Sequence, residues 1–166
     1  VTSCLITRGG INAVSLGGTI SISLKFKTAA AATAISAALV AQGRDAQYSF
    51  QVELLPTSRA IGVKQWQFNG NNYRQSNAQT TPLNDGLWHS CYAFLSDSVI
   101  KVYIDNVLVI NDSTAGSGTW HKTSAAALTF GARTDATNCF SGQLDMLRVH
   151  VGELSLAQIE ALHTES

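Results

Sequence analysis

Groups able to do chemistry are thinly spread along this chain. Hydrolysis of a glycosidic bond needs two carboxylates at a fixed separation. There are only four glutamates, Glu53, Glu153, Glu160 and Glu165, and three of them lie in or beside the C-terminal tail. No Gly-x-Ser-x-Gly elbow offers a serine nucleophile. His89 and Cys91 stand two apart, so in a strand they share one face. That spacing fits a catalytic dyad or a core histidine beside a buried thiol. His121, His150 and His163 are scattered and give no metal-ligand spacing. Cys4, Cys91 and Cys139 form no CxxC pair and fit no zinc pattern, so at most one internal disulfide can form. Buried free thiols behaving as small apolar residues are the other reading.

The composition points to recognition without strong charge. The 166 residues carry 11 basic and 11 acidic side chains, a net charge of zero, and only 13% are charged. Ordinary soluble domains carry about 25%. Ser and Thr, 32 together, supply the polar surface with Asn and Gln. Without clustered Lys or Arg, nucleic acid is not an expected partner. No stretch approaches the roughly 18 apolar residues of a membrane span, so membrane insertion is not expected. The Ala-rich run Ala29–Ala41 comes nearest and is broken by Thr33 and Ser36. One domain over residues 1–166 is expected, large enough to bury about 70% of its extended surface. The chain opens at Val1 with neither Met nor a signal-like segment, as a processed protein or an excised domain would.

The elements that must position any site are strands. Thr19–Lys27 alternates Ile20, Ile22, Leu24 and Phe26 with Ser or Lys, which predicts one buried and one wet face. Tyr48–Leu54 repeats the pattern with Ser49, Gln51 and Glu53 outward, and Ala60–Phe68 is a third, less regular run. Val99–Ile110 is two β-branched runs hinged at Asp105-Asn106, both tolerant of the left-handed backbone that a tight hairpin needs. Leu128–Arg133 and Leu144–Val151 add two strands. Local propensity would make Ala29–Ala41 a helix. It lacks an amphipathic stripe, so a loop and then a strand near Ala38–Gln42 is expected. Ser155 and Gln158 fit a capping box that opens a short helix over Leu156–His163. Short strands spaced by turns indicate an all-β antiparallel sandwich or jelly roll.

Five motifs now align. Asp85-Gly86-Leu87-Trp88-His89 precedes the Val102–Val109 hairpin. Leu128-Thr129-Phe130-Gly131-Ala132 follows, then Phe140-Ser141-Gly142-Gln143-Leu144-Asp145-Met146-Leu147-Arg148-Val149, and lastly Leu154-Ser155 with Gln158-Ile159. In order and spacing the chain from about Ile20 onward resembles the laminin G-like, concanavalin A-like lectin/glucanase superfamily. It departs at Asn106, where Gly is usual, at Gln158, where Glu is usual, and over its first twenty residues. The resemblance implies a two-sheet jelly roll with a short C-terminal helix, and ligand sites on a concave sheet or rim loops. Its register places His89 and Cys91 in the core. Structure alone accounts for several motif residues: Trp88 starts a strand and packs, Gly142 makes a tight turn or bulge before the last strand, and Asp105-Asn106 is the turn itself. Superfamily glucanases carry an acid motif E-x-D-x-x-E, but no glutamate here is followed two residues later by Asp. An enzyme is therefore not expected.

A sugar offers apolar C–H faces and hydroxyl edges, so a lectin surface needs exposed aromatic and amide or charged partners. Alternation turns Tyr92, Phe94 and Tyr103 away from the core. It leaves open whether Trp66 and Phe68 or Gln65 and Gln67 face outward. Asn69–Arg74 reads as a polar loop flanked by aromatics, and Trp120 follows Gly116-Ser117-Gly118. The candidate contacts are Trp66, Tyr73, Arg74, Tyr92, Tyr103 and Trp120. An exposed aromatic face can equally be an interface with another copy or a parent assembly. Superfamily members often bind Ca²⁺ through Asp carboxylates, which makes Asp135 and Asp145 the candidate ligands, with Asp45 and Asp112 as further loop acids. The leading expectation is a noncatalytic binding module on an extracellular, cell or virion surface, recognising glycans or a glycosylated receptor. The alternative is a structural domain for assembly or self-association. One sequon, Asn111-Asp112-Ser113, is present.

Overall fold

In the computed structural model, residues 19–31, 34–43, 49–66, 73–78, 82–113, 127–133 and 135–165 are described in full, and 6–8 as backbone. Their strands are β1 (Ile6–Arg8), β2 (Ile20–Lys27), β3 (Ala37–Gln42), β4 (Phe50–Leu54), β5 (Ile61–Trp66) and β6 (Tyr73–Asn77). They continue with β7 (Trp88–Leu95), β8 (Ile100–Ile104), β9 (Val107–Asp112), β10 (Leu128–Phe130) and β11 (Gln143–His150), then α1 (Leu156–Thr164). A six-stranded sheet runs β1-β10-β3-β4-β5-β6 and a five-stranded sheet β11-β2-β7-β8-β9. Every pairing is antiparallel. This is the expected sandwich. Its core interleaves Ile20, Ile22, Leu24 and Phe26 with Phe50, Val52, Leu54, Ile61 and Val63. Each such side chain contributes about 1.5–3 kcal/mol by leaving water.

Local signals hold where local physics decides. The hairpin turn places Asp105 and Asn106 at φ 49° and 65°. The Ala-rich run ends in β3, with Ala38 and Ala41 fully buried. Ser155 caps α1 with its side chain, and Gln158 returns a bond to the Ser155 N–H at 2.9 Å.

Three expectations change. The Ser face of β2 is not wet. Ser21 and Ser23 are buried, because the C-terminal segment crosses them: Ser21 donates to the Gly152 carbonyl, and Ser23 lies 2.8 Å from His150 Nε2. Gln51 and Glu53, expected outward from β4, do point away from the core but are also buried. Tyr73 and Arg74 belong to no loop: they open the edge strand β6.

Gly142 serves a different purpose from a turn. A Cβ there would lie 2.3 Å from the Lys27 carbonyl oxygen and 2.7 Å from Phe140 Cζ. Glycine lets backbone and ring meet. The bulge in β11 instead falls between Asp145 and Arg148, at Met146 with φ 51°.

Candidate functional site

Pairing of β5 with β6 sets one surface. Val63 opposes Val52 in the core, so its neighbours Lys64 and Gly62 face away from it. The register Trp66↔Tyr73, Lys64↔Gln75 and Gly62↔Asn77 puts Trp66, Lys64, Tyr73, Gln75 and Asn77 on that outer face. Gln65 turns the other way and donates to the Ser96 carbonyl at 2.8 Å. This answers the question the sequence left open: Trp66 faces out. Phe68 lies outside the described residues.

The two rings meet at 5.4 Å between centroids, tilted by 38°. Tyr73 remains 47% exposed. Lys64 Nζ stands 5.9 Å from the Tyr73 centroid, within cation–π range. Glu53, fully buried on β4, pairs with Lys64 at 2.7 Å and accepts from Gln51 Nε2 at 2.6 Å. The lysine charge is thereby neutralised beneath the surface. Beside the rings, Gln75 Nε2 donates to Asn77 Oδ1 at 3.1 Å, and both residues are exposed. Successive members of the Tyr73, Gln75, Asn77 row lie about 6.7 Å apart along the strand. The result is an aromatic plane with an amide edge, neutral overall. Sequence reading missed Lys64, Gln75 and Asn77. Counting by twos from Tyr73 would have found the last two.

Other candidates take different roles. Arg74 points to the opposite face of β6 and grips Asp112 of β9. Nη2 lies 2.6 Å from Oδ1, Nε donates to Oδ2 at 3.0 Å, and Nη2 donates to the Asp112 carbonyl at 2.5 Å. Ser76 donates to the same carboxylate. Arg74 is thus a brace joining the edges of the two sheets rather than a ligand contact. Tyr92 and Tyr103 do turn away from the core, as alternation predicts, but the chain's own tail covers them. They pack with Phe94, Val99, Leu154 and Ile159, and Tyr92 is only 3% exposed. Its hydroxyl accepts the Leu154 N–H at 2.8 Å and lies 3.1 Å from Ser21 Oγ. Burial raises its pKa above the usual phenol value, against the opposing effect of the Leu154 bond. Tyr92 is thereby closed to solvent, while Tyr103 is half-buried beneath the same tail. Trp120 lies outside the described residues.

Asp135 Oδ1 accepts from the Thr137 N–H at 3.1 Å and from its hydroxyl at 2.5 Å, closing a local turn. Those hydroxyl and amide bonds hold its pKa below the usual value, although partial burial pulls the other way. Asp145 Oδ1 accepts the Met146 N–H at 2.7 Å. Among the described residues no three His, Cys, Asp or Glu side chains converge as a metal site.

His89 and Cys91 form no dyad. The Cys91 thiol is buried, and burial pushes its pKa up to about 12, leaving it inert at neutral pH. His89 packs on Phe26 at 5.5 Å. Cys139 is disulfide-bonded, and Cys4 lies outside the described residues.

A family model described as the concanavalin A-like lectin/glucanases superfamily matches residues 7–160. No curated relative matches the chain by sequence. Among solved structures, the binding domain of Paraclostridial Mosquitocidal Protein 1 superposes with a TM-score of 0.73 at 11% identity over 96% of this chain; the match covers 40% of that chain. The Ruminococcus gnavus IT-sialidase CBM40 bound to α2,3 sialyllactose gives 0.70 at 12%, covering 98% of this chain and all of that one. Domain 4 of a GH43 extracellular arabinanase from Geobacillus stearothermophilus, in complex with arabinotriose, gives 0.65 at 19%, covering 89% and 67%. At these identities the likeness is one of fold.

Proposed function

This chain belongs to the concanavalin A-like lectin/glucanase superfamily, and we propose that within it the chain acts as a noncatalytic carbohydrate-binding module. The observation that carries this reading is the outer face of β5 and β6. Tyr73 presents a half-exposed ring backed by Trp66, and the amides of Gln75 and Asn77 lie beside it. An aromatic plane takes the C–H face of a pyranose, and the amides take its hydroxyls. Structural neighbours that carry sialyllactose and arabinotriose support the same class of ligand.

The glutamates argue against hydrolysis. Glu53 is committed to Lys64 and Gln51, Glu153 pairs with Lys101 at 2.7 Å, and Glu160 and Glu165 lie in α1 and at its end. No two are poised as an acid and a base. A disulfide at Cys139 suits an oxidising compartment, which supports display outside the cell, on a cell surface or on a virion. The partner there would be a glycan or a glycosylated receptor in attachment. Because the tail buries Tyr92 and packs over part of Tyr103, those rings give the assembly alternative little support.

The test is a glycan array followed by calorimetry on wild type, Tyr73→Ala and Gln75→Ala. Tyr73→Ala should weaken the best array ligand at least tenfold, a loss of about 1.4 kcal/mol. An array silent for the wild type, or binding untouched by Tyr73→Ala, overturns the reading.

A further inference from the structure

Charge is scarce on the sheet that carries Tyr73. Strands β3, β4, β5 and β6 hold only Glu53, Lys64 and Arg74 as charged side chains. Arg74 turns to the opposite face of β6 and pairs with Asp112, leaving its side chain 8% exposed. Lys64 stands on the outer face, its side chain 22% exposed, with its ammonium near both the Tyr73 ring and Glu53. The β4–β5 register sets Gln51 opposite Lys64 and Glu53 opposite Gly62. The lysine therefore meets Glu53 on the diagonal, 2.7 Å from Oε1, while Gln51 Nε2 donates to Oε2 at 2.6 Å. Both carboxylate oxygens are engaged, out of reach of solvent.

Burying a carboxylate is costly, and a buried ion pair seldom stabilises more than an apolar pair of similar size. Stability alone gives little reason for a glutamate at position 53. Its position gives a better one. Lys64 keeps its ammonium 5.9 Å from the Tyr73 centroid, yet its charge is cancelled from beneath. Without Glu53, Lys64 would be the uncompensated cation of this sheet, standing beside the ring.

We infer that Glu53 sets the specificity of this face: by neutralising Lys64 it makes the Tyr73, Gln75, Asn77 row selective for neutral sugars over uronic or sialylated ones. The inference rests on the glycan-binding reading of the same face. An acidic sugar laid on Tyr73 would bring its carboxylate to a cation already paired, with a second carboxylate behind it. The hydration it loses would not be offset. Neutral hydroxyls fare better. The Gln75–Asn77 bond uses one amide hydrogen of Gln75 and Oδ1 of Asn77. The Gln75 oxygen can then accept from a hydroxyl, and the Asn77 NH₂ can donate to one. Discrimination of this kind works by penalising the wrong ligand as much as by holding the right one.

A glycan array that pairs neutral with acidic chains tests this on the whole protein: lactose beside sialyllactose, and methyl-esterified beside free oligogalacturonate. Calorimetry then follows the tightest neutral and the tightest acidic glycan in wild type, Glu53→Gln and Tyr73→Ala. Wild type should prefer the neutral glycan by about tenfold. Glu53→Gln frees the lysine charge, so it should raise the acidic affinity about fivefold and leave the neutral affinity unchanged. Added salt should weaken the acidic binding of Glu53→Gln and spare the neutral binding. A merely structural Glu53 would instead lower both affinities together. Should Glu53→Gln fail to fold, the wild-type preference decides alone. Acidic glycans bound through Tyr73 as tightly as neutral ones, or an unchanged ratio in Glu53→Gln, overturn the inference while the glycan-binding reading stands. A silent array, or binding that Tyr73→Ala leaves untouched, removes that reading and this inference with it.

Discussion

His89 and Asp105 join the two motifs on either side of strand β7. Imidazole Nδ1 lies 2.7 Å from Asp105 Oδ2, while Nε2 lies 3.1 Å from Asp85 Oδ1. A ring with a carboxylate at each nitrogen is most stable as the imidazolium, which donates to both. Burial opposes that charge, but the bonds to Asp105 and Asp85 outweigh it and raise the His89 pKa. His163 also approaches Asp105, at 4.0 Å, and its Nδ1 lies 2.8 Å from Ser90 Oγ. Because the folded pKa is raised, the stabilisation is complete below the unfolded value near 6.5 and fades as pH rises through the folded value. His150 runs the other way. Burial, then Arg148, lowers its pKa, so its contribution is lost as pH falls below about 6.5. Melting temperatures from pH 5 to 9 should therefore decline more gently toward alkaline pH in His89→Gln than in wild type. Identical slopes would remove the ion-pair account.

Asn106 stands at φ 65° in the hairpin turn, where the resemblance leads one to expect glycine. Asn tolerates that region better than other side chains, and Gly tolerates it at no steric cost. Asn106→Gly should thus stabilise by a few tenths of a kcal/mol, and Asn106→Ala should destabilise by about 1 kcal/mol. Urea midpoints at constant slope read both. An alanine variant as stable as wild type would contradict the turn geometry.

That turn was legible because its physics is local, as were the alternation of β2, the capping box at Ser155 and the direction of Tyr103. What escaped the sequence depends on distant partners. Strand β6 reads Tyr-Arg-Gln-Ser-Asn, without apolar alternation, and takes its shape from pairing with β5 and from the Arg74–Asp112 brace 38 residues away. Alternation also told which way Tyr92 faces, yet not that residues 152–165 return to cover it. The aromatic half of the candidate site, Trp66 and Tyr73, was found by residue type. Lys64 was not, because its place depends on Glu53 and on the β5 register.

The Arg74 brace should matter for stability first and for binding second. Arg74→Met leaves the Asp112 carboxylate, only 21% exposed, without its guanidinium partner. Removing one partner of a largely buried pair costs about 2–3 kcal/mol. Arg74→Lys should recover only part of this, since an ammonium cannot reproduce the planar two-nitrogen grip. Denaturant titration measures the loss. If Arg74 touched ligand directly, Arg74→Lys would instead lower affinity with unchanged stability.

Calcium should leave the module indifferent. The Asp135 carboxylate closes its own turn through Thr137, and Asp145 accepts its neighbour's N–H. Neither sits in a cluster of three ligating side chains among the described residues. Ca²⁺ excess and EDTA should give the same melting temperature and the same glycan affinity. A rise of several degrees with Ca²⁺ would show that a site exists.

The C-terminal helix has several surface polar ties but one buried apolar anchor, and this makes one residue decisive. Ile159 is the single buried residue of α1, inserted beside Tyr92 and Phe94. Around it lie exposed or half-buried polar ties: Lys101 to Glu153 at 2.7 Å, Arg148 to Glu165 at 2.5 Å, and Ser90 to His163 at 2.8 Å. Exposed pairs of this kind are worth about 0–1 kcal/mol each and weaken in salt. Deleting the Ile159 side chain beyond Cβ should cost about 2–4 kcal/mol of local stability. Because the core between the sheets does not include Ile159, the loss should appear as opening of the tail. Hydrogen exchange at the Leu154 amide, which is bonded to the Tyr92 hydroxyl, should accelerate in Ile159→Ala while amides of β4 keep their protection. Uniform acceleration across both sheets would mean instead that the tail is an inseparable part of the folded unit.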